Sequence, residues 1–305
     1  MKNEHKEIAW SLYWAQDRLQ SCVASGDDAD QKRLSGLWQD FAVSLDANSR
    51  VLDLATGNGA VPAALLAARA DIRLDAVDRA QVDPLNNLSE PKLLKAVRFH
   101  PQTDILQLPF DDACFDAITS QFGIEYAGLH AASAAVIPRL KAGGRFQFIV
   151  HHADSDIIRS SRLKLIEIEQ LIQPGGLLET LIAMLRGDAE FADLETLGKQ
   201  YLEQDIVRTK LISGQVFSGI NQLSENLVSD PKRAMELGTT LDLRIRSEHE
   251  RLCQMKKAAQ TKQDMDQFAR GLESMSAQLT ALEPIYIDQN KQEYLLAWMA
   301  VGVKA

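Results

Sequence analysis

Seven residues, Asp53-Leu54-Ala55-Thr56-Gly57-Asn58-Gly59, join a carboxylate to two glycines at alternate positions and run on into Pro62. Glycine tolerates φ > 0 and lets a ligand approach the backbone, while proline suits the first turn of a helix. Amides at such a helix start face polar or anionic ligand groups. The dinucleotide pattern G-x-G-x-x-G needs a third glycine at position 62, where Pro62 stands, so nicotinamide and flavin cofactors are disfavoured. About 20 residues on, a carboxylate is the usual partner of ribose hydroxyls. Here Leu74-Asp75-Ala76-Val77-Asp78 places Asp78 at a strand end. The chemistry implied is recognition of a nucleoside that carries no pyrophosphate.

Such a loop needs a strand before it and a helix after it. Short apolar runs at Val51 to Leu54, Ile72 to Val77, Ala96 to Phe99, Phe115 to Ser120 and Arg145 to Val150 alternate with helical stretches. This predicts parallel βαβ units in a sheet covered on both faces, with ligands at the carboxyl ends of its strands. Residues 1–46 read as helices, with Ile8, Leu12, Ala15 and Leu19, then Leu34, Leu37, Trp38, Phe41 and Leu45, at helical spacing. Ser25-Gly26-Asp27-Asp28 marks a loop between them. After His152 a helical period continues to about Leu279, broken at Gln173-Pro174-Gly175-Gly176, Gly187-Asp188 and Asp230-Pro231. Tyr294 to Val303 reads as a terminal strand after the turn-like Asp288-Gln289-Asn290-Lys291, forming a hairpin with Thr280 to Ile287.

With these residues in this order, the chain resembles a class I S-adenosylmethionine-dependent methyltransferase. The group includes ubiquinone- and menaquinone-biosynthesis and other small-molecule enzymes. The family loop sets an acid ahead of three glycines at alternate positions; here it reads Asp53, Ala55, Gly57 and Gly59, with Ala55 replacing the first glycine. The resemblance covers residues 47–152 and the terminal strand, and leaves the long helical stretch uncovered. It implies a Rossmann-like α/β fold, a doubly wound sheet ending in an antiparallel strand, over residues 47–153 and 280–305. Residues 1–46 would then be a helical lid and 154–279 a helical insertion.

The same resemblance implies S-adenosyl-L-methionine as cofactor. Asp53, Ala55, Thr56, Gly57, Asn58 and Gly59 would hold it, with Asp78 and Arg79 near the ribose. Asp104 and Ile105 of Thr103-Asp104-Ile105-Leu106-Gln107-Leu108-Pro109-Phe110 would meet the adenine, and Ser120, Gln121 and Phe122 the methionine end. Other roles stay open. Asp53 can hold the turn through loop amides, Asp78 can cap its strand, and Asp104 can solvate an acidic loop. Ser120 and Gln121 can be satisfied within their own turn.

Methyl transfer from a sulfonium is an in-line displacement, so much of the catalysis lies in holding nucleophile and methyl carbon in line. A base is needed only when the nucleophile carries a proton. His151 and His152 after the fifth strand, and Glu125 and Tyr126 after the fourth, are the candidates. Each can also serve in packing or capping. His5, His100, His130 and His249 stand outside any constellation. Tyr13, Trp14 and Arg18, with Trp10, fit either a lid that touches substrate or an amphipathic helix packed on the sheet edge. The insertion is either a substrate roof that excludes water or a homodimerisation element.

Composition bounds the partners. The 305 residues carry a formal charge of −9, which repels phosphate backbones and favours a small-molecule methyl acceptor over nucleic acid. Met1 to Ile8 is charged, and no run reaches the roughly 20 apolar residues of a membrane span. The expectation is a cytoplasmic protein without a membrane partner. Cys22, Cys114 and Cys253 lack metal or redox spacing, so reduced thiols and no metal site are expected, with Cys114 packed as a small hydrophobe. The function expected is methyl transfer to oxygen, nitrogen or sulfur of a small molecule. Two alternatives stand beside it: a protein or RNA methyltransferase, and a catalytically inactive cofactor-binding module whose insertion binds a partner.

Overall fold

The computed structural model describes residues 2–21, 29–204, 211–227, 229–289 and 292–305. Cys22, the loop expected at Ser25 to Asp28, and Asn290 and Lys291 of the expected turn lie outside the described residues. Internal contacts divide the chain into two compact units, Met1–Ala9 with Ser160–Cys253 and Trp10–Arg159 with Gln254–Ala305. In chain order the helices are α1 (Lys2–Trp14), α2 (Ala29–Val43), α3 (Ala60–Ala68), α4 (Pro84–Asn87), α5 (Leu129–Val136), α6 (Asp156–Ile172), α7 (Leu177–Arg186), α8 (Phe191–Glu203), α9 (Ser213–Asn226), α10 (Pro231–Ala258) and α11 (Lys262–Glu273).

The larger unit is built on β1 (Arg50–Leu54), β2 (Arg73–Val77), β3 (Val97–His100), β4 (Phe115–Gln121), β5 (Leu140–His151), β6 (Ala277–Gln289) and β7 (Gln292–Lys304). Their order across the sheet is β3-β2-β1-β4-β5-β7-β6. The first five strands pair in parallel, whereas β7 runs antiparallel to both β5 and β6. This is the doubly wound, Rossmann-like α/β sheet with an antiparallel terminal strand that the sequence predicts. Strand order reverses beside β1, between β2 and β4, which opens a crevice at the carboxyl ends of β1 and β4.

Central parallel strands are covered on both faces and need near-continuous apolar runs. Val51, Leu52, Leu54, Phe115, Ala117 and Ile118 supply them and are wholly buried. Around them Phe146, Phe148 and Val150 of β5 join Met265, Phe268 and Leu272 of α11 in one core. Full burial of such side chains stabilises by about 1.5 to 3 kcal/mol each. Thus α11, which the sequence assigns to the helical insertion, packs on this sheet. β5 starts five residues before its expected Arg145. Leu140 pairs with Phe115 and Arg145 with Ala117, so residues 141–144 form a bulge that an apolar-run reading takes for a turn.

The smaller unit is helical. Its buried side chains include Leu177, Leu178 and Leu181 of α7, Leu194 and Tyr201 of α8, and Val216, Ile220 and Leu223 of α9. The fully buried Glu167 accepts the backbone N–H groups of Leu211 (3.0 Å), Ile212 (2.9 Å) and Ser213 (3.1 Å). One carboxylate on α6 thereby caps the free amides where α9 begins.

Candidate cofactor and active site

The loop after β1 adopts left-handed backbone at every second residue: Ala55 (φ 51°), Gly57 (φ 54°) and Gly59 (φ 85°). Thr56 N–H donates to Val77 O at 3.0 Å, tying the turn to the end of β2, and Gly59 is the N-cap of α3. For alanine a left-handed conformation costs roughly 1 to 2 kcal/mol. Ala55 is tolerated sterically because its methyl group enters the space left by Gly123, where a second Cβ would overlap it.

Two buried carboxylates flank this loop. Asp78 accepts Gly57 N–H (2.7 Å) on Oδ2 and Ala80 N–H (2.8 Å) on Oδ1. Burial pushes its pKa up to about 6 against those two hydrogen bonds. Asp53 stands opposite Thr119 in the β1–β4 register, and its Oδ1 accepts the Thr119 hydroxyl at 2.8 Å. Its Oδ2 is buried without a hydrogen bond. Burial drives the Asp53 carboxyl up to about 7; the Thr119 hydrogen bond and, from outside hydrogen-bond geometry, the Thr56 hydroxyl oppose this, and the charge of Asp78 adds to it. Thr56 Oγ1 and Asn58 Oδ1 are also buried without a hydrogen bond. A loop with unused acceptors and carboxyls that ionise near neutral pH suits a ligand rich in donors, such as ribose hydroxyls and an ammonium group. A pyrophosphate would meet Asp53 and Asp78 as like charges.

Further along the crevice, Asp104 Oδ1 accepts Leu106 N–H at 2.9 Å and caps the short turn Ile105–Gln107. Its other oxygen lies 4.0 Å from the Arg79 guanidinium, and Ile105 is buried beside it. Ser120 Oγ donates to Leu54 O (3.1 Å) and accepts Ile124 N–H (3.0 Å), which engages it within the framework. Gln121 Oε1 accepts the Trp38 indole N–H at 2.6 Å. Phe122, at φ 53°, packs edge-on against the His151 ring with centroids 4.5 Å apart.

The four catalytic candidates separate. His151 is 1% exposed, with Nδ1 3.1 Å from Glu125 Oε1 and Nε2 3.4 Å from the Tyr126 hydroxyl. Glu125 is fully buried; the one hydrogen bond its Oε1 accepts from His151 is from the backbone N–H, at 3.1 Å, while Oε2 has no hydrogen bond. Tyr126 is half-buried beneath the edge of Trp10, 5.4 Å between centroids. Successive residues of a strand point to opposite faces, and His152 goes elsewhere. It stacks on Trp298 at 4.4 Å and accepts Asp154 N–H on Nδ1, and burial lowers its pKa. Glu125, Tyr126, His151 and Phe122 thus form one cluster, without His152.

The segment from Trp10 to Arg18 lies across the glycine loop. Trp14 is buried with Ala80 and Val82, and packs with Trp10 and Tyr13; the Arg18 guanidinium sits 4.3 Å over the Tyr13 ring. Asn58 Nδ2 donates to the carbonyls of Trp14 (2.9 Å) and Arg18 (2.8 Å). Thr119 and Gly123 belong to the site without any motif to announce them. The signal for Thr119 is a polar residue in the middle of an apolar strand; Gly123 gives none until Ala55 is seen beside it. Cys114 and Cys253 are in no disulfide among the described residues, and Cys114 packs against the sheet core. Among the described residues no cluster of His, Cys, Asp and Glu could hold a metal ion, and no helix is long and apolar enough to cross a membrane.

No protein-family model and no curated protein matches the chain. Among solved structures it is similar to the geranyl diphosphate C-methyltransferase of Streptomyces coelicolor, at 17% identity over 48% of this chain and 64% of that one, TM-score 0.36. It is also similar to the YcgJ protein of Bacillus subtilis (16% identity, 88% and 97% covered, TM-score 0.38). A third is a candidate S-adenosyl-L-methionine-dependent methyltransferase of Methanococcus maripaludis (10% identity, 95% and 97% covered, TM-score 0.41). In the first four such matches the chain spans 44% to 64% of the other protein. Likenesses this weak carry no argument, and the functional reading rests on the topology and the loop.

Proposed function

We propose that the protein is an S-adenosylmethionine-dependent methyltransferase that moves a methyl group to an oxygen, nitrogen or sulfur atom of a small molecule. One observation carries the reading: a loop with three alternate left-handed residues, flanked by buried Asp53 and Asp78, at the switch point of the sheet. In this proposal Asp78 and Arg79 serve the ribose, and Asp104 and Ile105 the adenine. Asp53, with its unused oxygen, serves the ammonium group. Ala55 to Gly59 form the floor, with Ser120, Gln121 and Phe122 as the wall toward β4.

Bound there, the cofactor supplies a methyl group activated by a sulfonium. The protein's own residues orient the acceptor and handle its proton. Tyr126 is half-buried where Phe122, Glu125 and His151 are buried, so its hydroxyl is the group of the cluster able to touch the acceptor. His151 is sealed inside and acts through Tyr126: as the phenol oxygen takes the acceptor's proton, the phenol's own proton passes to His151 Nε2. Glu125, buried against Nδ1, stabilises the imidazolium that results. His152 is left out of this scheme because its ring is stacked on Trp298. The net charge of −9 supports a small acceptor over RNA.

Titration calorimetry with S-adenosylmethionine tests the cofactor assignment: micromolar binding is expected, about 100-fold weaker in Asp78→Ala, from the loss of a charge-assisted contact worth roughly 1.5 to 3 kcal/mol. Folded protein that binds none, with Trp14 in place and as Trp14→Ala, overturns it. Labelled cofactor with a metabolite extract should label small molecules, and Tyr126→Phe should lower that transfer about 100-fold at unchanged cofactor affinity. Label confined to protein or RNA fractions would replace the acceptor class. Absence of any transfer would leave the inactive binding module.

A further inference from the structure

The indole of Trp14 occupies the face of the loop that a ligand needs. A Cβ built on Gly57 would lie 2.6 Å from both Cε2 and Cη2 of Trp14, so the six-membered ring rests flat on the glycine backbone. The other walls around that ring are Ala80 and Val82, the residues just after Asp78. The ring is therefore wedged between the two turns, after β1 and after β2, that must share a bound nucleoside. It is 7% exposed.

The segment carrying this ring is strapped down. Trp14 O accepts from Asn58 Nδ2 (2.9 Å) and Asn87 Nδ2 (3.1 Å), and Arg18 O accepts from Asn58 Nδ2 (2.8 Å). Gln81 N–H donates to Ser11 Oγ at 3.0 Å, and Ser89 N–H to Asp17 Oδ1 at 3.1 Å. The fastenings go to the loop after β1 through Asn58, to the turn after β2 through Gln81, and to the end of α4 and just beyond it through Asn87 and Ser89. Two of the five, from Gln81 and Ser89, are exposed polar contacts, individually weak because water can replace them; the three to the Trp14 and Arg18 carbonyls are buried or part-buried. Residues 15–17 are exposed and form no helix, which gives the strap a place to bend.

Resting on the cofactor site proposed above, we propose that Trp14 is an internal plug, an autoinhibitory contact that excludes the nucleoside until the Trp10–Arg18 strap lifts. The closed state binds no cofactor, and the affinity measured is the intrinsic affinity multiplied by the fraction of molecules whose strap is open. The plug shares its strap with Trp10, which covers Tyr126 at 5.4 Å. Lifting the strap to admit cofactor therefore also uncovers the phenol of the proposed proton acceptor, and an empty crevice keeps that phenol covered.

The experiment uses full-length protein with S-adenosylmethionine and S-adenosylhomocysteine as probes. Trp14→Ala removes the plug. Asn87→Ala removes one fastening of the strap and no residue of the proposed cofactor contacts. Trp14→Ala should bind both probes about tenfold more tightly, and Asn87→Ala about two- to threefold. In stopped-flow tryptophan fluorescence the wild-type binding rate should saturate with ligand concentration, since strap opening limits it. In Trp14→Ala, followed through the remaining tryptophans, it should rise in proportion to concentration. Hydrogen exchange of residues 11–18 should increase on binding. Weaker binding in Trp14→Ala overturns the plug and makes Trp14 a wall of the site; unchanged affinity and linear kinetics in every variant overturn it as well. Absence of binding in wild type and both variants, with circular dichroism showing folded chains, removes the cofactor assignment itself and the plug with it.

Discussion

Asp53 on β1 and Asp75 on β2 are carboxylates buried to similar degrees on neighbouring strands, and the sheet treats them in opposite ways. Asp75 Oδ2 meets the Arg50 guanidinium at 2.9 Å, and its Oδ1 lies 3.0 Å from His100 Nε2 and 3.6 Å from Arg98. Asp53 has one threonine hydroxyl and an unused oxygen, and its carboxyl is pushed up to about 7. A carboxylate kept for the fold is surrounded by its counter-ions. Asp53 is left short of them, and in the role proposed for it the fold carries that cost until a ligand supplies the charge.

The sharpest way to break this comparison is Asp75→Ala. It strands Arg50, which is only about a quarter exposed, and should cost about 3 kcal/mol in urea denaturation with cofactor affinity unchanged. A cost near zero would erase the contrast. Asp53→Asn should act in the other direction. The folded protein keeps a proton on Asp53 up to about pH 7, whereas the unfolded chain releases it near pH 3.9. Stability therefore falls as pH rises between those values and is level above them. The asparagine variant should lose the Asp53 part of that slope, keeping only what Asp78 contributes below about pH 6, and be more stable at pH 8 by on the order of 2 kcal/mol. A bound ammonium group favours the ionised carboxylate, so wild-type cofactor affinity should strengthen as pH rises through about 7, with little such dependence in Asp53→Asn. Denaturation and calorimetry over pH 5 to 9 check both. The smallest effect belongs to Ala55→Gly: relief of the left-handed alanine, less the lost contact with Gly123, should stabilise by about 0.5 kcal/mol. A destabilised variant would show that the methyl contact outweighs the strain.

Much of the fold was legible because parallel strands announce themselves as apolar runs. Each of the five runs from Val51 to Val150 contains or overlaps a strand, and the terminal hairpin is present as β6 and β7. The start of β5 was hidden by Lys141-Ala142-Gly143-Gly144, whose turn-like composition is accommodated as a bulge. The site was legible at the loop and at Asp78, where spacing along one segment suffices. It was illegible where partners come from distant strands. Thr119 reaches Asp53 only through the β1–β4 register, and His100, set aside from sequence, finds Asp75 only across β2 and β3. His151 and His152 look equivalent in sequence, and the alternation at the strand end tells them apart. The strap contacts of Asn58 are likewise invisible in a motif that uses only its backbone.

The pairing of Ala55 with Gly123 has a bearing on how such loops are found. One methyl group is shared between two positions 68 residues apart in sequence: with alanine at 55, glycine is required at 123, and a glycine at 55 would remove the hardest of the contacts a side chain at 123 would meet, leaving Ser120 Oγ and Leu54 O still close. A pattern that asks for three glycines at alternate positions passes this loop by. One that asks for three left-handed backbones, and admits a glycine from across the crevice as the compensating residue, finds it.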